Sequence, residues 1–107
     1  MIYLACPYTH SDPEVRRRRF DAVNRLAGRL ILAGEIVYSP ISHSHAITET
    51  GLPVTWDFWE KQSLAMLSVC DTLVVYCIDG WEQSIGVRAE IDAAEKAGKP
   101  VVLYHPE

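Results

Sequence analysis

This chain of 107 residues lacks the marks of a disulfide scaffold, a membrane span or a polybasic surface. Its three cysteines, Cys6, Cys70 and Cys77, are an odd number with no Cys-x-x-Cys spacing, so they read as reduced, buried thiols. No apolar run approaches the ~18 residues needed to cross a bilayer. The opening Met1-Ile-Tyr-Leu-Ala-Cys6 is apolar, but it has no basic segment and meets Pro7 too early for a signal peptide. A cytoplasmic protein with no membrane partner is the expectation. The net charge of −4 argues against a nucleic-acid polymer as partner. There is no repeat, low-complexity tract or linker. His43-Ser-His45 supplies two metal-type ligands without a third at usable spacing, so neither metal nor cofactor is expected. What remains is a 49% apolar chain, enough for one core, read as a single domain over 1–107.

Short apolar runs alternate with helical patterns. Residues 2–6 read as a strand. Ser11-Asp12-Pro13-Glu14 is a helix-start signal, followed by apolar residues stepping by three and four from Val15 to Ile31 and a stop at Gly34. Residues 35–38 read as a second strand and 39–53 as a long loop or broken structure. A helix is expected over 54–69, a strand over 72–77, a helix over 84–97 and a strand over 101–104. This alternation predicts an α/β, three-layer, flavodoxin-like parallel sheet of four or five strands with helices on both faces. Ligands in such sheets bind beyond the carboxyl ends of the strands. Those ends carry Cys6, Pro7 and Tyr8, then Ser39, Pro40 and His43, then Asp79, Gly80 and Trp81, and finally His105.

The stretch Asp79-Gly-Trp-Glu-Gln-Ser-Ile-Gly-Val-Arg-Ala-Glu90 carries the clearest chemistry. A strand, a Gly/Ser turn and a helix start present free N–H groups and the positive end of a helix dipole to an anion or a sugar. Glu90 follows Gly86 by about one turn, ~6 Å along the axis, and so lies near the same side. A carboxylate so placed suits attack on an anomeric carbon. The plainer readings are a surface Glu90 paired with Arg88 or Lys96, and a Ser84 that only caps its helix.

Ile2-Tyr-Leu-Ala-Cys-Pro-Tyr8, the Arg-containing helix ending in Gly34, Val37-Tyr-Ser-Pro40, Cys70-Asp71 and Ser84-Ile-Gly-Val-Arg-Ala-Glu90 together resemble the nucleoside 2-deoxyribosyltransferase-like superfamily. That group includes deoxyribosyltransferases and deoxynucleoside 5′-monophosphate N-glycosidases. The resemblance runs over nearly the whole chain. It implies Glu90 as nucleophile at C1′, Ser84 and Gly86 holding the 5′ group, Tyr8 lining the sugar or base pocket, and a homodimer or higher homo-oligomer. Two positions depart from the pattern. The first loop, Pro7-Tyr-Thr-His-Ser, is not Arg/Gly-rich, and Ser63 stands where an Asp is usual.

The expected activity is cleavage or transfer of the N-glycosidic bond of a (deoxy)nucleoside or its 5′-monophosphate. A departing base needs an acid, and Asp79 and Asp57 are the acids to consider. Arg19 shares the spacing of the buried stripe and can reach inward to an anion. His43 and Trp81 are placed to contact a base, beside Pro7 and Tyr8. The alternative, motivated by the two departures, is a non-catalytic nucleotide-binding or sensing domain.

Overall fold

The structure, a computed structural model, describes residues 1–106. Four strands form it: β1 (Ile2–Ala5), β2 (Val37–Tyr38), β3 (Thr72–Tyr76) and β4 (Val101–Tyr104). Four helices accompany them: α1 (Pro13–Leu32), α2 (Pro40–Thr48), α3 (Trp56–Ser68) and α4 (Ile85–Lys96). The strands make one sheet in the order β2-β1-β3-β4, every pairing parallel. Ile2 lies opposite both Val37 and Thr72, and Leu73 opposite Val101. The expected flavodoxin-like arrangement is therefore present, with four strands.

Alternation along the strands separates two cores. Tyr3 and Ala5 of β1, with Leu73 and Val75 of β3, pack against Leu67 of α3 and Val87 and Ala94 of α4. Leu4 and Cys6, with Val74 and Tyr76, pack on the other face against Val23, Leu26 and Ala27 of α1 and Ile41 of α2. A period of two in the strands thus assigns each side chain to one helical layer. No helix is long and apolar enough to cross a membrane among the described residues.

The helix-start signal at Ser11–Glu14 resolves onto Asp12, whose side chain accepts from the Glu14 N–H at 2.9 Å with Pro13 in the first turn. The segment 39–53 corrects the sequence expectation, because 40–48 is helical. Pro40 supplies a helical φ at the first turn. Ile41, His45 and Thr48, spaced by four and three, then form a buried face. Its serines, threonine and histidines are poor helix formers, so tertiary burial rather than propensity holds it. Ser42 donates to Asn24, tying α2 to α1. The rest of the segment is pinned by Thr9 Oγ1 donating to the Val54 carbonyl and by Trp59 Nε1 donating to the Pro53 carbonyl, both at 2.8 Å.

At the carboxyl edge, Arg19 joins two loops. Its guanidinium donates to the Thr9 carbonyl after β1 at 3.2 Å and to the Asp79 carbonyl after β3 at 3.3 Å. Gly80 permits this. Its φ is +93°, and a Cβ there would stand 2.4 Å from Arg19 Nη2. Gly28 is its opposite, an exposed helical glycine in α1 with open space around it. In urea unfolding, Gly80→Ala is expected to cost about 1–2 kcal/mol, the strain of a left-handed alanine, with more from displacing Arg19. Gly28→Ala should stabilise by about 0.5–1 kcal/mol. Equal effects of the two would remove the Arg19 bridge from the account.

Candidate active site

A cavity of about 410 Å³ opens beyond the carboxyl ends of β1 and β3, where the strand order reverses direction. Such a volume is in the range that encloses a small organic molecule. Its floor holds Glu90 of α4, a buried residue at 5% exposure and the only buried acid among the described residues. The Tyr3 hydroxyl, from the middle of the sheet, donates a buried hydrogen bond to Glu90 Oε2. Burial pushes the Glu90 carboxyl up to about 7, against the Tyr3 hydrogen bond, which pulls it down. Burial, and then the neighbouring Glu90 charge, drive the Tyr3 phenol far above its ordinary range. Tyr3 therefore stays protonated and remains a donor while Glu90 changes state. Ser63 of α3, buried and on the cavity wall, lies beside the Tyr3 hydroxyl and tempers that rise.

α4 begins at Ser84, whose Oγ accepts from the Val87 N–H at 3.2 Å. Ser84 and Gly86 both line the cavity. Gly86 packs closely against α3. A Cβ there would sit 3.0 Å from Cε3 of Trp56, so its absence lets the indole lie against the start of α4. Trp56 and Trp59 of α3 form an aromatic wall. Asp57, in the first turn of α3 and exposed, stands on the rim. Tyr8 and Cys6 close the side formed by β1. Burial pushes the Cys6 thiol up to about 12, and its Sγ–H turns to the Pro7 carbonyl at 3.4 Å. It is a neutral, weak nucleophile.

Of the residues singled out from sequence, the cavity collects Glu90, Asp57, Tyr8, Ser84 and Gly86. The other five lie off its wall. Asp79 is exposed beyond the strand end, and its carbonyl is engaged by Arg19. Arg19 donates to the two loop carbonyls and is not among the residues that line the cavity. Pro7 is packed out of sight behind its neighbours. His43 sits on the exposed side of α2, near Tyr38 with ring centres 6.1 Å apart, because the helical turn gives the inner positions to Ile41, His45 and Thr48. Trp81 packs on the α3/α4 core and edge-on to His105. Glu90 is not paired with Arg88 or Lys96. Sequence reasoning passed over Tyr3, Ser63, Trp56 and His45 as site residues.

Fold and cavity define a three-layer α/β protein with a strand-anchored, buried carboxylate at the switch point of its sheet. The chain belongs to the family described as Domain of unknown function (DUF1937), which it matches over residues 1–106. No curated protein matches it.

The raised Glu90 pKa has a consequence for stability. Glutamate in the unfolded chain releases its proton near the ordinary 4.5, whereas folded Glu90 keeps it up to about 7. Between those values the folded state binds more protons, so this contribution is complete below pH 4.5 and is lost as pH rises through 7. Thermal or urea unfolding of Glu90→Gln should match the native chain near pH 4 and exceed it by about 3 kcal/mol at pH 8. An equal offset at both pH values would mean that Glu90 ionises as a surface group does.

Proposed function

We propose that this protein cleaves or exchanges the N-glycosidic bond of a (deoxy)nucleoside, with Glu90 as the nucleophile. The observation that carries the reading is the buried Glu90 carboxylate, hydrogen-bonded by Tyr3, on the floor of a nucleoside-sized cavity at the carboxyl edge of the sheet. One Glu90 oxygen is held by Tyr3, which leaves the other to attack C1′. The C1′–N bond breaks as the C1′–O bond to Glu90 forms, and the electron pair leaves on the base. Water or a second base then displaces Glu90 from C1′, so configuration is retained overall. The weak solvation of the carboxylate makes it a better nucleophile than an exposed one, and Tyr3 fixes its orientation.

The walls support a substrate class. No Lys, Arg or His side chain lines the cavity among the described residues, while Asp57 and Glu90 both do. A 5′-phosphate would meet two carboxylates and only the N–H groups at the start of α4. A neutral nucleoside suits this cavity better than its 5′-monophosphate, with the 5′-hydroxyl at Ser84 and Gly86 and the base along Trp56 and Trp59. A homodimer accords with the same reading, since β4 is an open edge strand with Val102 and Leu103 exposed.

The test is base release, followed by chromatography, from nucleosides, deoxynucleosides and their 5′-monophosphates, with and without a second free base. Nucleosides should be cleaved at least ~10-fold faster than their monophosphates at equal concentration, a difference of only about 1.4 kcal/mol. Glu90→Gln should lose ~10³-fold or more. Because Glu90 must be ionised, kcat/KM should fall as pH drops below about 7. Binding of a nucleoside with no release under any condition would favour the non-catalytic reading.

A further inference from the structure

A chain of three side chains enters the cavity from the layer opposite Glu90. Tyr8 lines the cavity, and its hydroxyl lies 2.7 Å from Nδ1 of buried His45. His45 Nε2 faces the Glu49 carboxylate at 3.5 Å. The rings of Tyr8 and His45 meet edge-on at 90°. Phe20 of α1 stacks on the imidazole with centres 4.1 Å apart and planes 21° apart. The imidazole is therefore held in place by α1, with Nδ1 hydrogen-bonded to Tyr8 and Nε2 facing Glu49. Glu49 is 66% exposed, so the outer end of the chain meets solvent.

We propose that Tyr8 is the acid–base residue of this site, with His45 and Glu49 as positioning residues that deliver and remove its proton. The inference rests on the glycosidic reading above and supplies the proton transfers it requires. When His45 carries a proton on both nitrogens, Nδ1–H donates to the Tyr8 oxygen and the Tyr8 hydroxyl hydrogen turns into the cavity. As the C1′–N bond breaks, the base nitrogen takes that hydrogen, and Tyr8 recovers one from His45 Nδ1. His45 is left neutral with its remaining hydrogen on Nε2, the tautomer that the Glu49 carboxylate favours. Nδ1 now accepts from Tyr8, whose oxygen lone pairs face the cavity. Water attacking C1′ gives a hydrogen to the Tyr8 oxygen while Tyr8 passes its own to Nδ1. The C1′–O bond to Glu90 breaks, and its electron pair restores the carboxylate. Nucleoside and water become free sugar and free base, and the relay ends as it began.

The two protonation states of one imidazole thus match the two half-reactions, acid first and base second. Asp57, the exposed acid on the rim, has no such chain behind it. Cys6 does not compete, since its thiol is held neutral and turned to the Pro7 carbonyl.

The experiment compares two leaving groups on the intact protein. One substrate is the best nucleoside from the base-release panel. The other is the 4-nitrophenyl glycoside of the same sugar, whose nitrophenolate departs without protonation. In the first turnover, Tyr8→Phe should lose ~10²-fold or more on the nucleoside and less than ~5-fold on the nitrophenyl glycoside. With the latter it should then show a burst of about one equivalent of nitrophenolate before slow turnover, because the second step lacks its base. His45→Gln should show the same selectivity, so the result does not depend on one variant. Tyr8→Phe keeps the ring, and its melting temperature checks the fold. Glu90→Gln should be silent on both substrates. Equal slowing of both by Tyr8→Phe, or no slowing of either, overturns the relay while leaving the glycosidic reading standing. A native chain inert toward both substrates overturns the glycosidic reading itself, and the relay with it.

Discussion

The hydrogen bond between Tyr3 and Glu90 is the interaction on which the site depends. A carboxylate placed against the core would be strongly disfavoured if nothing met it. Tyr3 meets it from the sheet, and the geometry leaves little choice. β1 is a central strand, flanked by β2 and β3, so Tyr3 cannot move without moving the sheet. α4 is fixed over that face by Val87 and Ala94. The carboxylate is thus held by a rigid donor in a dry place, at the cost of a raised pKa. A surface pairing with Arg88 would have avoided that cost and left no reason for the cavity.

The sheet's alternation then determines which groups can cooperate. Tyr3 points toward α3 and α4, whereas Leu4 and Cys6 point toward α1 and α2. Past the strand end the chain turns, and Tyr8 packs with the α1/α2 layer. The cavity is the place where these two layers open to each other beyond the strand ends. At that edge Arg19 ties the loops after β1 and β3 together through their carbonyls. The run of arginines in α1 therefore contains one with a structural duty at the site's edge.

Much of the fold was legible because its signals are local. The Gly34 stop, the Asp12-Pro13 start and the apolar run at 72–76 each act over a few residues. Glu90 was legible through its one-turn spacing from Gly86 and through resemblance. The rest required contacts between distant segments. Tyr3 sits in an apolar strand, where an aromatic reads as core, and only the packing of α4 reveals that its hydroxyl meets a carboxylate 87 residues later. The choice between His43 and His45 depends on whether 40–48 is helical, because two residues along a helix turn a side chain to a different face. With the segment read as loop, no phase existed by which to choose. Trp81 lay nearer the signature in sequence than Trp56, but the glycine that admits an indole to the start of α4 admits Trp56.

The placement of the two sets of polar groups follows a physical division. In the proposed reaction the nucleophile gains from dryness and fixed orientation, and Glu90 and Tyr3 lie in the core between the sheet and α4. A proton donor that must be reloaded needs a route to solvent, and the chain from Tyr8 through His45 ends at an exposed Glu49. Neither requirement can be met by the other's surroundings. An exposed Glu90 would be solvated and poorly directed, while a fully enclosed Tyr8 would have no means of exchanging its proton. The three-layer sheet reconciles them by giving each its own layer and bringing both to one cavity at the strand ends. On that proposal, two short segments so far apart in sequence, the first loop with α2 and the signature turn with α4, must fold together before the reaction can run.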